Sequence, residues 1–194
     1  MPTIQVFAGP NGSGKSTITA GIPVVGMYIN ADEIQRHLQC TVLEAARNAE
    51  SVREFCLANG LDFTMETVLS TPRNIDLLQR AKEQGYSVIA FFVLTIHPDI
   101  NVQRVAARAA RGGHDVPEEK IRSRYERSVK NLPLLLELCD ELYVFDNSFS
   151  RGEGEPSLIV RYVHGTIELR HSPKWSHEML LALVEGRDFA RYIE

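Results

Sequence analysis

The sequence predicts an α/β protein with a mostly parallel central sheet and helices on both faces. Three observations predict it. The first is a set of short apolar runs, Thr3–Ala8 and Tyr86–Ile96 above all, that are continuous rather than alternating. Strands of that kind are buried on both faces. The second is the regular alternation of those runs with helical patterns. The third is length, since 194 residues fit one domain.

The elements follow in order. Thr3–Ala8 is a β-rich run ending in glycine, which reads as a buried strand. Residues 9–17 are rich in glycine and serine and open a helix that Gly21 and Pro23 stop early. Val24–Ile29 is a second apolar run. Asn30 follows as an N-cap with Glu33 three residues later, a capping-box-like start. Helices are predicted over 31–39 and 42–58, the second closed by Asn59-Gly60, and a strand over Leu61–Val68. Thr71-Pro72 is a cap with proline at N1, and the helix it opens ends at Gly85. Tyr86–Ile96 is almost wholly apolar and is the expected central strand. From Pro98 an alanine-rich helical pattern runs to Arg111 and breaks at Gly112-Gly113. Another helix starts near Pro117, passes Tyr125 and kinks or restarts at Pro133. Glu141–Phe145 is a strand ending at Asp146-Asn147. Residues 148–156 read as a surface loop, 157–171 as one or two strands turning at Gly165, and 174–191 as a terminal helix.

Composition excludes several functions. The net charge is −4, with 44% hydrophobic and 24% charged residues. The chain is too apolar to be disordered, and it lacks the basic excess that drives general nucleic-acid binding. Its longest apolar stretches, Val88–Leu94 and Leu132–Leu136, fall far short of the roughly 18 residues of a membrane span. The N-terminus has no basic n-region, so no signal peptide is expected. Cys40, Cys56 and Cys139 are odd in number and widely spaced, which suits buried thiols in a reducing compartment. A cytoplasmic domain without membrane or nucleic-acid partners is expected.

One motif is strong. Gly9, Pro10, Asn11, Gly12, Ser13, Gly14, Lys15, Ser16 and Thr17 fit G-x-x-x-x-G-K-[ST] in full, between a predicted strand and a helix. Glycines let the backbone curl so that successive N–H groups face phosphate oxygens, and the helix adds its free N–H groups and dipole. Lys15 reaches the β/γ-phosphates of ATP, and the Ser16 hydroxyl is placed to ligate Mg²⁺. The GTPase patterns Asp-x-x-Gly and Asn-Lys-x-Asp do not occur, which leaves the small-molecule kinases. The predicted architecture is thus a P-loop NTPase fold with about five strands and a helical lid. A core of about 1–147 includes the lid at about 98–130, and 148–194 is a C-terminal extension of unassigned role within one domain.

A kinase needs a carboxylate for the acceptor hydroxyl, and cations for the transferring phosphoryl group. Asp32, in the first turn after the second apolar run, is the base candidate, because strand C-termini gather at the P-loop edge. An Asp there equally complements a helix dipole. Arg36 lies one turn on, either pairing with Asp32 or holding an anionic substrate. Glu66 ends an otherwise apolar or small strand, with Thr67 beside it. It is placed to orient Mg²⁺-bound water or bind substrate hydroxyls; an edge strand with a solvent-facing Glu is the competing reading. Arg104, Arg108 and Arg111 form one helical stripe, and Lys120, Arg124 and Arg127 repeat its i, i+4, i+7 spacing. Joined by Arg111-Gly112-Gly113-His114, these helices read as a lid delivering arginines to phosphates, or as two solvated faces. Asn147 is placed to read adenine or to make a turn.

With GPNGSGKST, INADEI, TMET and RVAARAARGGHDVPEEKIRSRYERSVKNL assembled, the sequence resembles the zeta-toxin family of P-loop kinases over roughly 3–147. The resemblance implies a parallel sheet with flanking helices. It implies ATP-dependent phosphorylation of an acceptor hydroxyl, in that family the 3′-hydroxyl of UDP-N-acetylglucosamine. It implies Asp32 as base, Asn30 and Glu66 at the substrate, and Arg108, Arg111 and Arg124 assisting transfer. An antitoxin protein is the implied partner. The chain departs from the well-known toxins in being shorter and in its Gly-Gly-His lid, and 148–194 matches nothing in the family pattern. Another small acceptor (antibiotic, sugar or nucleoside) and a nucleotide-binding regulatory module stay open as alternatives.

Overall fold

The computed structural model describes residues 1–113, 115–149 and 154–187. Strand β1 (Thr3–Ala8) lies inside a seven-stranded sheet. On one side it pairs in parallel with β3 (Phe63–Thr67), which pairs with β2 (Met27–Ile29). On the other it pairs with β4 (Ser87–Leu94), which pairs with β5 (Glu141–Asp146). These parallel strands are the predicted sheet. It continues beyond β5 as an antiparallel hairpin, β6 (Ser157–Val163) and β7 (Thr166–Leu169). The hairpin turns on His164 and Gly165, both at positive φ (44° and 88°), the backbone of a two-residue turn that matches strand twist.

The helices are α1 (Lys15–Thr19), α2 (Ala31–Leu38), α3 (Val42–Ala58) and α4 (Pro72–Glu83). After them come α5 (Pro98–Ala109), α6 (Glu118–Lys130), α7 (Leu132–Leu138) and α8 (His177–Glu185). Their starts follow from local chemistry. Thr41 and Glu44 form a complete capping box on α3, and proline opens α4, α5 and α7. Ile4, Val6 and Ala8 on β1 and Phe92 and Leu94 on β4 are fully buried. They share one core with Leu57 of α3, Leu78 of α4 and Leu135 of α7, and with Trp175, Leu180 and Leu183 near the C-terminus. Each such side chain contributes about 1.5–3 kcal/mol. Residues 157–187 therefore belong to the same core as the strands. No described helix is long and apolar enough to cross a membrane.

Two elements are shorter than their apolar runs. In β2 the ladder is replaced upstream by Thr64, whose hydroxyl accepts from Val25 N (2.8 Å) and donates to Val25 O (2.7 Å). Gly26 then kinks at φ 60°, where a Cβ would lie 1.9 Å from Asp62 O. Leu61 is held out of β3 by a turn to Cys56 O and by Tyr86, whose hydroxyl donates to Leu61 O. Cys56 and Cys139 are buried and Cys40 is half-buried. His114, 150–153 of the predicted loop and 188–191 of the predicted terminal helix lie outside the described residues.

The register brings the chemistry to one edge. Ala8 stands beside Thr67 and Phe92, so β1 and β3 end level, and Ile29 beside Met65 ends β2 two residues short of them at the same edge. Far from that edge, Asp140 accepts from both Lys82 Nζ (2.8 Å) and Val88 N (2.8 Å), fastening α4 to the lead-in of β5. Burial pushes its carboxyl up, but these donors outweigh it and hold it below the ordinary value. A depressed carboxyl stabilises the fold above its unfolded pKa, and that contribution is lost as pH falls through the folded pKa. Asp140→Asn is expected to lose about 1–2 kcal/mol at neutral pH. Denaturant titrations should show its deficit against wild type shrinking as the pH drops below the carboxylate range.

Candidate active site

The loop after β1 is a turn that only glycine can make at its critical points. Gly9, Gly12 and Gly14 have φ of 136°, 76° and 87°. A Cβ would lie 2.0 Å from Val93 O at Gly9, 2.5 Å from Asn101 O at Gly12 and 2.0 Å from Asn147 Nδ2 at Gly14. The neighbours that crowd the loop also bind it. Gly9 N donates to Thr67 O (3.2 Å), Asn101 Nδ2 to Asn11 O (2.6 Å) and Asn147 Nδ2 to Ser13 O (2.8 Å). Lys15 folds back across the turn and donates to Gly9 O (2.8 Å) and Pro10 O (3.4 Å). A phosphate oxygen is a stronger acceptor for that ammonium than a carbonyl, so the loop fits a polyphosphate. Helix α1 has only 5 residues, so its dipole adds less than the sequence motif suggests. The loop amides and Lys15 carry the cradle.

Beside the loop lies a cleft of about 380 Å³ lined by Ser16, Tyr28, Asn30, Asp32, Arg36 and Glu66, among others. Glu66 sits on β3, an interior strand between β2 and β1, so the edge-strand reading does not hold. Tyr28 donates its hydroxyl proton to Glu66 Oε1 (2.6 Å) and accepts from Asn30 Nδ2 (3.1 Å). The Asn30 Oδ1 accepts from Asp32 N (2.8 Å) and Glu33 N (3.4 Å), capping α2. One chain of contacts thus runs from Glu66 through Tyr28 and Asn30 to the backbone that carries Asp32. Burial and the Glu66 hydrogen bond push the Tyr28 phenol up, so it stays a donor. Burial pushes Lys15 down, Glu66 and Asp32 pull it back up, and Arg108 opposes them. Both carboxylates and Arg108 therefore act on the loop lysine, whose pKa stays below the ordinary value. Arg36 shares the cleft but makes no ion pair with Asp32.

The two basic helices divide their labour. Arg124 of α6 donates to Asn11 Oδ1 (3.1 Å), at the loop. Arg104 of α5 donates to Ser13 O (3.5 Å) and Phe149 O (2.7 Å), so it braces the loop from behind. Arg108 and Arg111 are exposed at the end of α5 next to the turn between the helices, and Lys120 and Arg127 are exposed on α6. The base of the helix pair is fastened. Tyr125 donates to Thr95 O (2.5 Å), Ser128 to Val68 O (2.7 Å) and Asn131 to Leu69 O (2.8 Å). Arg122 of α6 joins Asp99 of α5 at 2.6 Å. Any lid motion is thereby limited to the segment beyond these anchors.

The structure brings the nine loop residues to one edge with Asn30, Asp32, Arg36, Glu66 and Arg124. Thr67 stands apart from the cleft: it is buried, and its hydroxyl accepts from Leu69 N (2.8 Å) and Asn74 Nδ2 (2.5 Å). Asn147 is buried with its amide on Ser13 O. Sequence reasoning missed Tyr28 and Asn101. Tyr28 carried a faint signal, a phenol in a short apolar run just before Asn30. Asn101 looks like any polar residue in a helix, yet it is fully buried and hydrogen-bonded to Thr95 and Asn11. Among the described residues no group of three or more His, Cys, Asp or Glu is placed to hold a metal. Mg²⁺ bound with a nucleotide needs none, because phosphates and one or two protein groups hold it; Ser16 lines the cleft.

The zeta toxin family model matches residues 1–149. An uncharacterized protein of Haemophilus influenzae is 30% identical over 125 residues, which are 61% of this chain and 89% of that protein. The structure is similar to a chain of the AvrRxo1-ORF1:-ORF2 complex with ATP, at a TM-score of 0.70 and 16% identity. That match covers 95% of this chain, which spans only 64% of that one. It is also similar to a chain of the PezAT toxin–antitoxin system of Streptococcus pneumoniae, at a TM-score of 0.54 and 16% identity. There the match covers 100% of this chain and 87% of the other.

Gly14→Ala is expected to abolish binding of a fluorescent ATP analogue, since the Cβ meets Asn147 and the φ is positive. Gly21→Ala, with nothing within 4 Å of its Cβ, should bind as wild type does.

Proposed function

The chain belongs to the zeta toxin family, and from that premise we propose that it is an ATP-dependent kinase phosphorylating a hydroxyl of a small molecule. The observation that carries this reading is the placement of Asp32 and Glu66 in one cleft with Ser16, both carboxylates acting on Lys15. A phosphate cradle and a carboxylate-lined acceptor space then share a wall, as in-line phosphoryl transfer requires.

Each residue has a role in this reading. The loop amides of residues 9–17 and Lys15 bind the triphosphate, with Lys15 exchanging its carbonyl partners for phosphate oxygens. Ser16 would help hold a nucleotide-bound Mg²⁺, which would supply charge neutralisation. The acceptor lies in the cleft, held by Glu66, Asn30 and Arg36. Asp32 takes the hydroxyl proton as the acceptor oxygen bonds to the γ-phosphorus and the bond to the bridging β–γ oxygen breaks, releasing ADP. Arg124 at the loop, with Arg108 and Arg111 from the segment beyond the anchors, stabilises the transferring charge. The family resemblance favours the 3′-hydroxyl of UDP-N-acetylglucosamine as acceptor. It also favours a cytoplasmic setting and an antitoxin protein as partner, which the similarity to the PezAT system supports.

The test is ADP release with mass measurement of the phosphoproduct, across UDP-N-acetylglucosamine, sugars, nucleosides and aminoglycoside antibiotics. Lys15→Ala is expected to abolish turnover. Asp32→Asn should keep ATP affinity and lose about 10²–10⁴-fold in transfer. A wild-type transfer rate in Asp32→Asn would show the base assignment to be wrong. ATP binding without acceptor-stimulated ADP release would mark a nucleotide-binding module instead.

A further inference from the structure

The family match stops at residue 149, and the following segment makes contacts that converge on the nucleotide loop. We propose that the segment from Gly154 to Trp175 is a buttress of the phosphate cradle, acting through Phe149 and Ser148 on the Ser13–Gly14 peptide. The proposal rests on the reading of the loop as an ATP site.

The contacts form a sequence. Lys174 donates to Ser148 O (3.0 Å), and its ammonium lies 4.4 Å from the centre of the Phe149 ring. Gly154 packs against that ring so closely that a Cβ would lie 2.5 Å from it. Phe149 is thus held by Lys174 and by a glycine backbone. Trp175 is buried in the core close to Asp146, and the Ser148 hydroxyl donates to Asp146 Oδ1. The Ser148 hydroxyl oxygen in turn accepts from Ile96 N (2.6 Å). Residues 146–149 are therefore fixed by β4 on one side and by the C-terminal segment on the other.

Those fixed residues hold the loop. The Phe149 carbonyl anchors Arg104, and Arg104 and Asn147 both donate to Ser13 O. A peptide group is planar and trans, so pinning its C=O also aims its N–H in the opposite direction. Donors on Ser13 O thus aim the Gly14 N–H away from them. Gly14 itself has no room to adjust, because Asn147 occupies the space beside it. Loosening Phe149 releases one of the two donors and allows that peptide to tilt. Lys174, Gly154 and Trp175 are positioning residues in this account, and none of them reaches the cleft.

The experiment is isothermal titration of ATP into Lys174→Met, Lys174→Arg and Gly154→Ala, with steady-state kinetics and melting temperatures on the same samples. Lys174 is exposed and Gly154 has no positive φ, so neither change attacks the core. Lys174→Met and Gly154→Ala are expected to weaken ATP binding roughly three- to tenfold, about 0.7–1.4 kcal/mol. The KM for ATP should rise by a similar factor while kcat, acceptor KM and melting temperature hold. Lys174→Arg keeps the cation and a donor and should restore affinity. Wild-type ATP affinity in both Lys174→Met and Gly154→Ala would overturn the proposal and leave the kinase reading intact. So would losses that track a lowered melting temperature. A wild-type protein that binds no ATP would overturn the kinase reading, and the buttress with it.

Discussion

The Ser13 carbonyl is the point on which the site depends. It belongs to a loop with no ladder of its own, so its shape must be imposed from outside. Asn147 from the end of β5 and Arg104 from α5 both donate to it. Thr67 at the end of β3 accepts from Gly9, and Asn101 of α5 donates to Asn11. Elements distant in sequence thus converge on six residues of backbone. Positive φ at three glycines makes that path possible, and the close approach of Val93, Asn101 and Asn147 makes it exclusive. A rigid cradle follows, which is what preorganised phosphate binding demands.

The cleft shows a second constraint, the management of charge. Two carboxylates, Asp32 and Glu66, act on a lysine whose pKa burial lowers. They favour its charged form, and Arg108 works against them. Glu66 is steadied by Tyr28, and the backbone of Asp32 is carried on a helix capped by Asn30. The acids and the lysine form one electrostatic unit built on three strand ends. The parallel register is what brings those ends to one edge.

Much of this was legible in the sequence, and the reasons are physical. Apolar runs of β-rich residues report burial on both faces, so β1, β3, β4 and β5 were readable with small errors at their ends. Glycines at fixed spacing with Lys15 report a backbone path, so the cradle was readable to the residue. Asp32 and Glu66 were singled out because one follows and the other ends an apolar run, and the structure places both on one cleft. Thr67 and Asn147 were equally plausible by position. A short polar side chain beside a strand end can face the cleft or the backbone, and only packing decides which. Asn101 gave no signal, since its burial follows from where α5 lies against the loop. Arg104 stood out within a stripe of arginines, but spacing cannot tell a brace from a reactive arginine on the same helix.

By itself the sequence determined the fold class and the backbone path of the glycine loop, because these depend on local pattern. Tertiary structure alone decided which arginines brace and which face the turn. It alone decided that Tyr28 couples Glu66 to Asn30, and that the C-terminal segment reaches back to the loop through Lys174 and Trp175. Those outcomes rest on contacts between residues far apart in the chain. Such contacts exist only once the sheet has set the strand order, and no spacing rule along one sequence encodes that order.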